Sequence, residues 1–177
     1  DKKEAYSWVK APRYNGLPFE VGPLARLILS GNYINRMSAM DRTIARALEA
    51  KKIADIMKIL LKQIIPGVEM QQQYELPSSA SGRGLVDTTR GALGHWLEIQ
   101  NQKISFYQII TPSTWDFSTR DENGYRGVAE EALIGTPIAN VNEPVEIGRI
   151  LRSFDPCMSC ATHVYSPGKK VKTIQVF

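Results

Sequence analysis

Residues 35–65 restrict the possible folds of this chain more than any other stretch of its sequence. Apolar side chains recur there at the three- and four-residue spacing that is typical of an α-helix. They are Met37, Met40, Ile44, Ala47, Leu48, Ile56, Ile59 and Leu60. Pro66 and Gly67 follow directly and are expected to stop the helix. The fold must therefore accommodate one long packing helix.

Shorter helices are predicted on either side of the long one. Pro23 suits the first turn of a helix that Gly31 is expected to end. Residues 127–133 are a second candidate, and residues 145–154 are a third, with Pro144 near the first turn. The third helix runs into the segment that holds both cysteines of the chain.

The remaining patterns predict strands and one loop. Residues 96–99 and 104–110 are typical of the two strands of a β-hairpin, with Asn101 and Gln102 at the turn. Residues 77–87 predict a flexible polar loop, and the final letters "VKTIQVF" alternate as a strand does. Together the patterns predict an α+β fold of one domain: a mainly helical core with a β-hairpin and short strands.

Charge and composition exclude several classes of function. Hydrophobic residues make up 43% of the chain and charged residues 23%, which is ordinary for a globular protein. The net charge is +4, but the basic residues are scattered, so nucleic-acid binding is not expected. No apolar run reaches the roughly 18 residues of a membrane span, and no signal peptide is recognised. The charged, aromatic and proline-rich start predicts that the chain begins partway through a longer polypeptide.

The segment "FDPCMSCATH" concentrates the metal-binding chemistry of the chain. It contains the only two cysteines, Cys157 and Cys160, and one of only two histidines, His163. On a helix each of these positions lies roughly 60° from the next around the axis, so the two thiolates can bind one soft metal. The histidine, nearly a turn further on, can bind a different ion.

Spacing alone leaves three interpretations of this segment open: a soft-metal site, a redox dithiol, and buried cysteines without chemistry. A thioredoxin-like dithiol usually lies at a helix N-terminus after a strand, without a preceding Asp-Pro. A structural zinc site needs four ligands, so a fourth would have to come from His95 or from another chain.

Four blocks of the sequence resemble nickel–iron hydrogenase large subunits. "DPCMSCATH" resembles the Asp-Pro-Cys-x-x-Cys-x-x-His signature near the C-terminus of that family. The blocks "KAPRY…EVGPLAR", "RGALGHW" and "TPSTWD" resemble the family in the same order. The resemblance covers nearly the whole chain and implies the C-terminal portion of the large-subunit fold. Four ordered blocks are far more specific than one cysteine pair.

The resemblance implies a set of metal ligands. Cys157 is expected to be a terminal nickel ligand, and Cys160 is expected to bridge nickel to an iron that carries carbon monoxide and two cyanides. The terminal thiolate is expected to accept a proton when molecular hydrogen splits. His163 and the backbone carbonyl of Ile109 are expected to bind a separate hard ion, usually magnesium.

The resemblance also implies the surroundings of that centre. Arg90 is expected to stand over it and to hydrogen-bond an iron-bound cyanide, because a guanidinium is always charged and offers several donors. Asp155 is expected to orient Arg90. Ser113 is expected to donate its hydroxyl to the other cyanide, while Pro112 and Leu93 help to form a dry pocket around the diatomic ligands.

Two departures from the family pattern stand out. Thr89 occupies the position where many members have proline before the arginine, so its hydroxyl is expected to contact a cyanide or alter gas access. The other Cys-x-x-Cys of the family and its glutamate region are missing, so this chain supplies two of four thiolates. We therefore expect either a large subunit divided between two chains, which we favour, or a fragment of one.

Residues 1–163 are expected to be the C-terminal portion of the large subunit, and residues 164–177 a cleavable extension. In the family a nickel-dependent endopeptidase cuts after the motif histidine. The implied partners are the N-terminal portion, that endopeptidase and an iron–sulfur small subunit, because this chain has no spare cysteines for a cluster.

The implied activity is the reversible heterolytic cleavage of molecular hydrogen into protons and electrons. Two alternatives remain: a catalytically inactive hydrogenase-like subunit of an electron-transfer complex, and a zinc-binding structural domain. The compartment stays open, since large subunits are either cytoplasmic or carried to the membrane or periplasm by a partner.

Overall fold

The computed structural model describes residues 5–33, 37–68, 71 and 73–157, together with the backbone of residues 161–166 and 169–175. This part of the chain contains five helices, a three-stranded antiparallel sheet and a two-stranded antiparallel sheet. In chain order they are α1 (Pro23–Leu29), α2 (Ala39–Leu61), β1 (Ser79–Thr88), β2 (Gly91–Gln100), β3 (Lys103–Ile110), α3 (Pro112–Asp116), α4 (Val128–Leu133), α5 (Val145–Ser153), β4 (Ala161–Ser166) and β5 (Lys169–Gln175). The predicted α+β fold is confirmed.

The long predicted helix is α2. It begins with a capping box: the Ser38 hydroxyl accepts from the Asp41 amide at 3.2 Å, and the Asp41 carboxylate accepts from the Ser38 amide at 2.9 Å. It ends at Leu61, ahead of Pro66, through a tighter last turn in which the Lys62 amide donates to the Ile59 carbonyl at 3.2 Å. None of the helices described is long and apolar enough to pass through a membrane.

Helix α1 also begins and ends where the sequence predicts. Pro23 is its first residue, and Gly31 follows its last turn with φ of 71°. Leu24 and Leu27 of α1 pack on Ala45 of α2, and all three side chains are buried. This contact fixes α1 against the N-terminal half of α2.

The three-stranded sheet has the order β1-β2-β3. Asn101 and Gln102 form the predicted turn between β2 and β3, with φ of 53° and 58°, as a type I′ hairpin turn requires. The loop predicted at residues 77–87 is wrong, because β1 pairs with β2 along its whole length, from Ser79 to Thr88. Its residues are small, polar and exposed, so they lack the alternation of apolar and polar side chains that predicts a strand. Pairing with β2 holds them in the strand conformation instead.

Helices α3, α4 and α5 surround a second core. Leu151 and Phe154 pack against Ala129, and the Phe117 ring meets the Phe154 ring edge-on with centroids 5.9 Å apart. The helices predicted at 127–133 and 145–154 are α4 and α5. Sequence patterns missed α3, which follows β3 directly and is capped by the Thr111 hydroxyl.

The cysteine segment does not lie on one helix. Helix α5 ends at Ser153, Asp155 leaves it with φ of 54°, and His163 lies in β4 opposite Thr173 of β5. The interpretation that Cys157 and His163 share a helical face is therefore wrong. Cys160 lies outside the described residues, whereas the strand predicted near the C-terminus is present as β5.

Candidate functional site

Arg90 and Asp155 meet at the edge of the structure. The Arg90 Nε group donates to the Asp155 carbonyl at 2.9 Å and lies 3.1 Å from Asp155 Oδ2. The Arg90 Nη2 group donates to Asp155 Oδ1 at 3.4 Å. These contacts join the connection between β1 and β2 to the residue that follows the C-cap of α5. Both side chains are partly exposed, at 46% and 39%.

Two glycines bring a second segment against the backbone of Arg90. A Cβ at Gly22 would lie 2.7 Å from the Arg90 carbonyl oxygen, and a Cβ at Gly91 would lie 2.7 Å from the Gly22 nitrogen. Their φ angles of 110° and 128° are also in the region that favours glycine. The backbone of Val21 and Gly22 therefore lies directly on that of Arg90 and Gly91.

Arg26 of α1 holds the residues immediately before Arg90. Its guanidinium donates to the Thr88 carbonyl at 3.0 Å and to the Thr89 carbonyl at 3.1 Å. The same group bonds both carboxylate oxygens of Glu49 on α2 at 2.6 Å. Thr89 is thus anchored through its backbone, and its side chain lies at an exposed position.

Two arginines of α2 hold the end of α5. The Arg42 guanidinium donates to the Ser153 hydroxyl at 3.4 Å and lies 3.7 Å from the centre of the Phe154 ring. Arg46 donates to the Ser153 carbonyl. Asp155 follows these two anchored residues directly, so the backbone that presents its carboxylate is fixed from α2.

Two carboxylates lie behind the Arg90–Asp155 pair. Glu20 accepts two hydrogen bonds from Arg42, at 2.8 and 2.7 Å. Asp116, which is only 3% exposed, accepts from the Val21 amide at 3.0 Å. Burial and then the charge of Glu20 raise the pKa of Asp116 to about 8, against the opposing effects of the Val21 amide and Arg42. All four residues line a small cavity that Arg90 and Asp155 also line.

Sequence reasoning did not assign a role to Glu20, Arg42 or Asp116. A charged residue in a helical pattern is normally exposed, so Arg42 gave no usable signal. The sequence did contain a signal for Asp116, because it is an ionisable residue between Trp115 and Phe117 in a block that resembles a known family.

The other predicted site residues lie on neighbouring elements. Cys157 is exposed, two residues after Asp155. Pro112 is buried at the start of α3, with Ser113 next to it. Leu93 lies in β2 and pairs with Val86 of β1. These predicted site residues therefore lie on neighbouring elements, but hydrogen bonds do not join all of them.

Of the two predicted ligands of the hard ion, the structure describes Ile109 in full and His163 by its backbone alone. Ile109 pairs with His95 in the sheet, and its carbonyl accepts from the Gln108 side chain at 2.8 Å. The His95 Nδ1 atom lies 2.6 Å from the Tyr107 hydroxyl, an arrangement that suits a structural histidine. Among the side chains described, no three His, Cys, Asp or Glu residues cluster as metal ligands.

Comparisons with known proteins cover nearly the whole chain. The profile of the family described as nickel-dependent hydrogenase matches residues 1–163. The periplasmic NiFeSe hydrogenase large subunit of Desulfomicrobium baculatum is 38% identical, over 93% of this chain and 37% of that protein. The uptake hydrogenase large subunit of Afipia carboxidovorans is 41% identical, over 94% of this chain and 34% of that protein.

Solved structures agree with the sequence comparisons. A variant of the NiFeSe hydrogenase from Desulfovibrio vulgaris Hildenborough superposes with a TM-score of 0.82 at 37% identity, over 89% of this chain and 38% of that chain. The NiFeSe hydrogenase of Desulfomicrobium baculatum superposes with a TM-score of 0.79 at 41% identity, over 88% and 37% of the two chains. This chain therefore spans little more than a third of the length of the relatives it matches.

Proposed function

Because this chain belongs to the nickel-dependent hydrogenase family, we propose that it is the C-terminal portion of a hydrogenase large subunit. Its proposed activity, within the complete enzyme, is the reversible conversion of one molecule of hydrogen into two protons and two electrons. One observation carries the proposal: Arg90 is hydrogen-bonded to Asp155, two residues before the exposed Cys157.

The donors of this chain suit half of a nickel–iron centre. Cys157 offers a soft thiolate ligand, which suits nickel better than a hard ion. Cys160 would be the second thiolate that holds the centre, and the remaining two would come from the other portion of the large subunit. Ser113 and the apolar side chains of Pro112 and Leu93 are the proposed neighbours of the iron ligands.

The proposed mechanism divides the work between the metals and the protein. When bound, the nickel–iron centre would supply the redox chemistry that cleaves the hydrogen–hydrogen bond and oxidises its two atoms to protons. The Cys157 sulfur would accept one of these two protons. The Arg90 Nη1 group makes no hydrogen bond to the described part of the chain, so its donors can serve an anionic ligand of the iron. Asp155 keeps the guanidinium in place.

A separate hard-ion site is proposed at His163 and the carbonyl oxygen of Ile109. This oxygen already accepts from Gln108, but a carbonyl has two lone pairs and can still bind a cation. Magnesium suits an oxygen donor. The ion would join the cysteine segment to β3.

We propose that maturation cuts the chain after His163 and removes residues 164–177. The match to the family ends at this residue, which supports the position of the cut. Removal would take away β5 and half of β4, and with them the strand that pairs with residues 161–163. The intact mass of the active enzyme tests the proposal, since an enzyme that keeps all 177 residues would contradict it.

The proposed partner on α2 is the remaining portion of the large subunit. Apolar side chains are exposed along this helix and just beyond it: Met40, Ile44, Leu48, Ile53, Ile56, Met57, Ile59, Leu60, Leu61, Ile64 and Ile65. They lie on every side of α2, as in a helix that is buried within a larger core. The relatives are more than twice as long as this chain, so they contain enough additional polypeptide to cover it.

The electrons are proposed to leave through iron–sulfur clusters of a small subunit. The relatives include a periplasmic and an uptake hydrogenase, which makes the periplasm or its membrane the favoured compartment. Secretion together with the small subunit would carry the chain there.

Nickel and iron analysis of the purified complex tests the proposed function, together with infrared detection of carbon monoxide and cyanide bound to iron. One nickel per complex is expected, together with more than one iron, because the clusters of the small subunit add to the iron of the centre, and Cys157→Ser is expected to lose the nickel. Zinc without nickel would select the structural zinc domain instead. A complex without either metal would select the inactive hydrogenase-like subunit.

A further inference from the structure

Two buried polar groups that take no part in the proposed chemistry converge on the segments that carry Arg90 and Asp155. Asp116, at the end of α3, is 3% exposed, and Arg42, near the start of α2, is 6% exposed. Neither makes a hydrogen bond to Arg90 or Asp155 in the described part of the chain. Their partners are the backbone and side chains next to these two residues.

Asp116 acts on Arg90 through one intermediate segment. Its carboxyl oxygen accepts a hydrogen bond from the Val21 amide at 3.0 Å, which holds the backbone of Val21 and Gly22. That backbone lies against Arg90 and Gly91 so closely that a Cβ on either glycine would approach the opposite backbone to 2.7 Å. A shift of the first segment would therefore displace the second.

Arg42 ties the same segment to the end of α5. It bonds both carboxylate oxygens of Glu20, the residue before Val21, and also contacts Ser153 and Phe154, the residues before Asp155. One buried guanidinium thus holds the backbone that supports Arg90 and the backbone that presents Asp155.

We propose that Asp116 and Arg42 are positioning residues that set the geometry in which the Arg90 guanidinium meets Asp155. Within this portion of the chain the two side chains of the pair are partly exposed, so the neighbouring segments, rather than a surrounding core, hold their geometry here. The contacts to Val21 and Glu20 are part-buried and the contact to Ser153 is buried, so water competes with them less than it does at an exposed pair. The proposal rests on the proposed function for its kinetic test, but its structural test is independent of it.

The kinetic test uses the complete hydrogenase complex with Asp116→Leu and Asp116→Asn. Leucine removes the acceptor for the Val21 amide, and turnover is expected to fall on the order of 10- to 100-fold at unchanged nickel and iron content, as misplacement of a reacting group does. Asparagine keeps an acceptor oxygen and is expected to restore most of that loss. Asparagine that behaves like leucine would overturn the proposal.

A double-variant cycle separates positioning from general stability. Arg90→Lys is expected to lower turnover by itself, and adding Asp116→Leu is expected to cause little further loss, because the residue that Asp116 positions has already been replaced. Multiplicative losses would contradict the proposal. Asp121→Leu is the matched control: Asp121 accepts the Asn123 and Tyr125 amides at 3.0 Å and pairs with Arg13, away from both segments. Its effect is expected to multiply with that of Arg90→Lys.

A crystal structure of the Asp116→Leu complex gives the structural test. The distance from Arg90 Nε to Asp155 Oδ2, which is 3.1 Å here, is expected to lengthen while the Asp121→Leu control keeps it. An unchanged distance would overturn the positioning role even if activity fell. If the wild-type complex contains no nickel, the proposed function is wrong. The measured Arg90–Asp155 distance then still decides whether Asp116 has the positioning role.

Discussion

The two halves of α2 reverse the usual relation between polarity and burial. In the N-terminal half the buried residues are Asp41, Arg42 and Ala45, of which two are charged. In the C-terminal half the apolar Met57 and Leu61 are exposed, at 57% and 65%. Charged side chains are almost never buried without partners. A large group of exposed apolar side chains is rare on the surface of a complete soluble protein.

The difference shows which contacts this chain makes for itself. The buried charged side chains of the N-terminal half are matched inside the chain, since Asp41 caps its own helix and Arg42 joins Glu20 to Ser153, although Met40, Ile44 and Leu48 of this half are exposed as well. The apolar half has no such match among the described residues, and the match that we propose for it is the remaining portion of the large subunit. The candidate site is therefore supported by contacts inside the described part of the chain.

The largest effect is expected from a charge placed in the apolar half. Leu60→Asp should abolish assembly with the rest of the large subunit, because burying an unpaired carboxylate costs several kcal/mol, which corresponds to a loss of affinity of about 100-fold or more. Co-purification of the two portions measures it. Asn123→Asp adds the same residue at an exposed polar position outside α2 and should assemble normally. Equal behaviour of both variants would break the comparison.

The next largest effect is expected in the polar half. Arg42→Gln leaves Glu20 without its ion-pair partner and should lower the free energy of unfolding by about 3–5 kcal/mol. Urea denaturation of the complex measures the change. Lys58→Gln breaks the exposed pair with Asp55 in the other half and should change it by less than about 1 kcal/mol. Similar losses in both variants would show that burial does not distinguish the two halves.

A pH-dependent effect is expected from Asp116, which lines the same cavity as Arg42. Burial and the charge of Glu20 raise the pKa of this carboxyl from 3.8 to about 8. The folded state therefore holds the proton more tightly than the unfolded chain. Its contribution to stability is complete below about pH 4 and is lost as the pH rises toward 8.

Asp116→Asn removes this titration. The variant should gain stability relative to the wild type as the pH rises from 5 to 8, by at most about 1.4 kcal/mol per pH unit. Unfolding curves at several pH values measure the gain. Parallel stability profiles for the two proteins would mean that Asp116 keeps an ordinary pKa in the folded state.

The smallest effect is expected in the β2–β3 turn, which neither half of α2 contacts through a described hydrogen bond. Gln102 has φ of 58°, a left-handed conformation that costs a residue with a side chain about 1 kcal/mol. Gln102→Gly should therefore raise the free energy of unfolding by up to that amount, while Asn101→Gly should raise it less, because asparagine tolerates this conformation. Thermal unfolding measures both, and a loss of stability in Gln102→Gly would contradict the assigned turn.

Sequence patterns predicted the elements that are stabilised by residues close together in the chain. Helix α2, the turn at Asn101 and Gln102, and the start of α1 at Pro23 follow from periodicity and backbone preference. Strand β1 could not be predicted in this way, because its residues are exposed and its order comes from pairing with β2. The helical interpretation of the cysteine segment failed for a related reason: residues 161–166 pair with β5 instead of continuing α5.

The same distinction applies to the residues of the candidate site. The sequence by itself determined the family, the residue types at Arg90, Asp155 and Cys157, and the expectation that the first two would pair. Only the tertiary structure decided that Arg42 and Asp116 are buried behind that pair and that two glycines press one backbone onto another. The reason is physical: a spacing pattern records neighbours along the chain, whereas burial and hydrogen bonding depend on which distant segments meet in space.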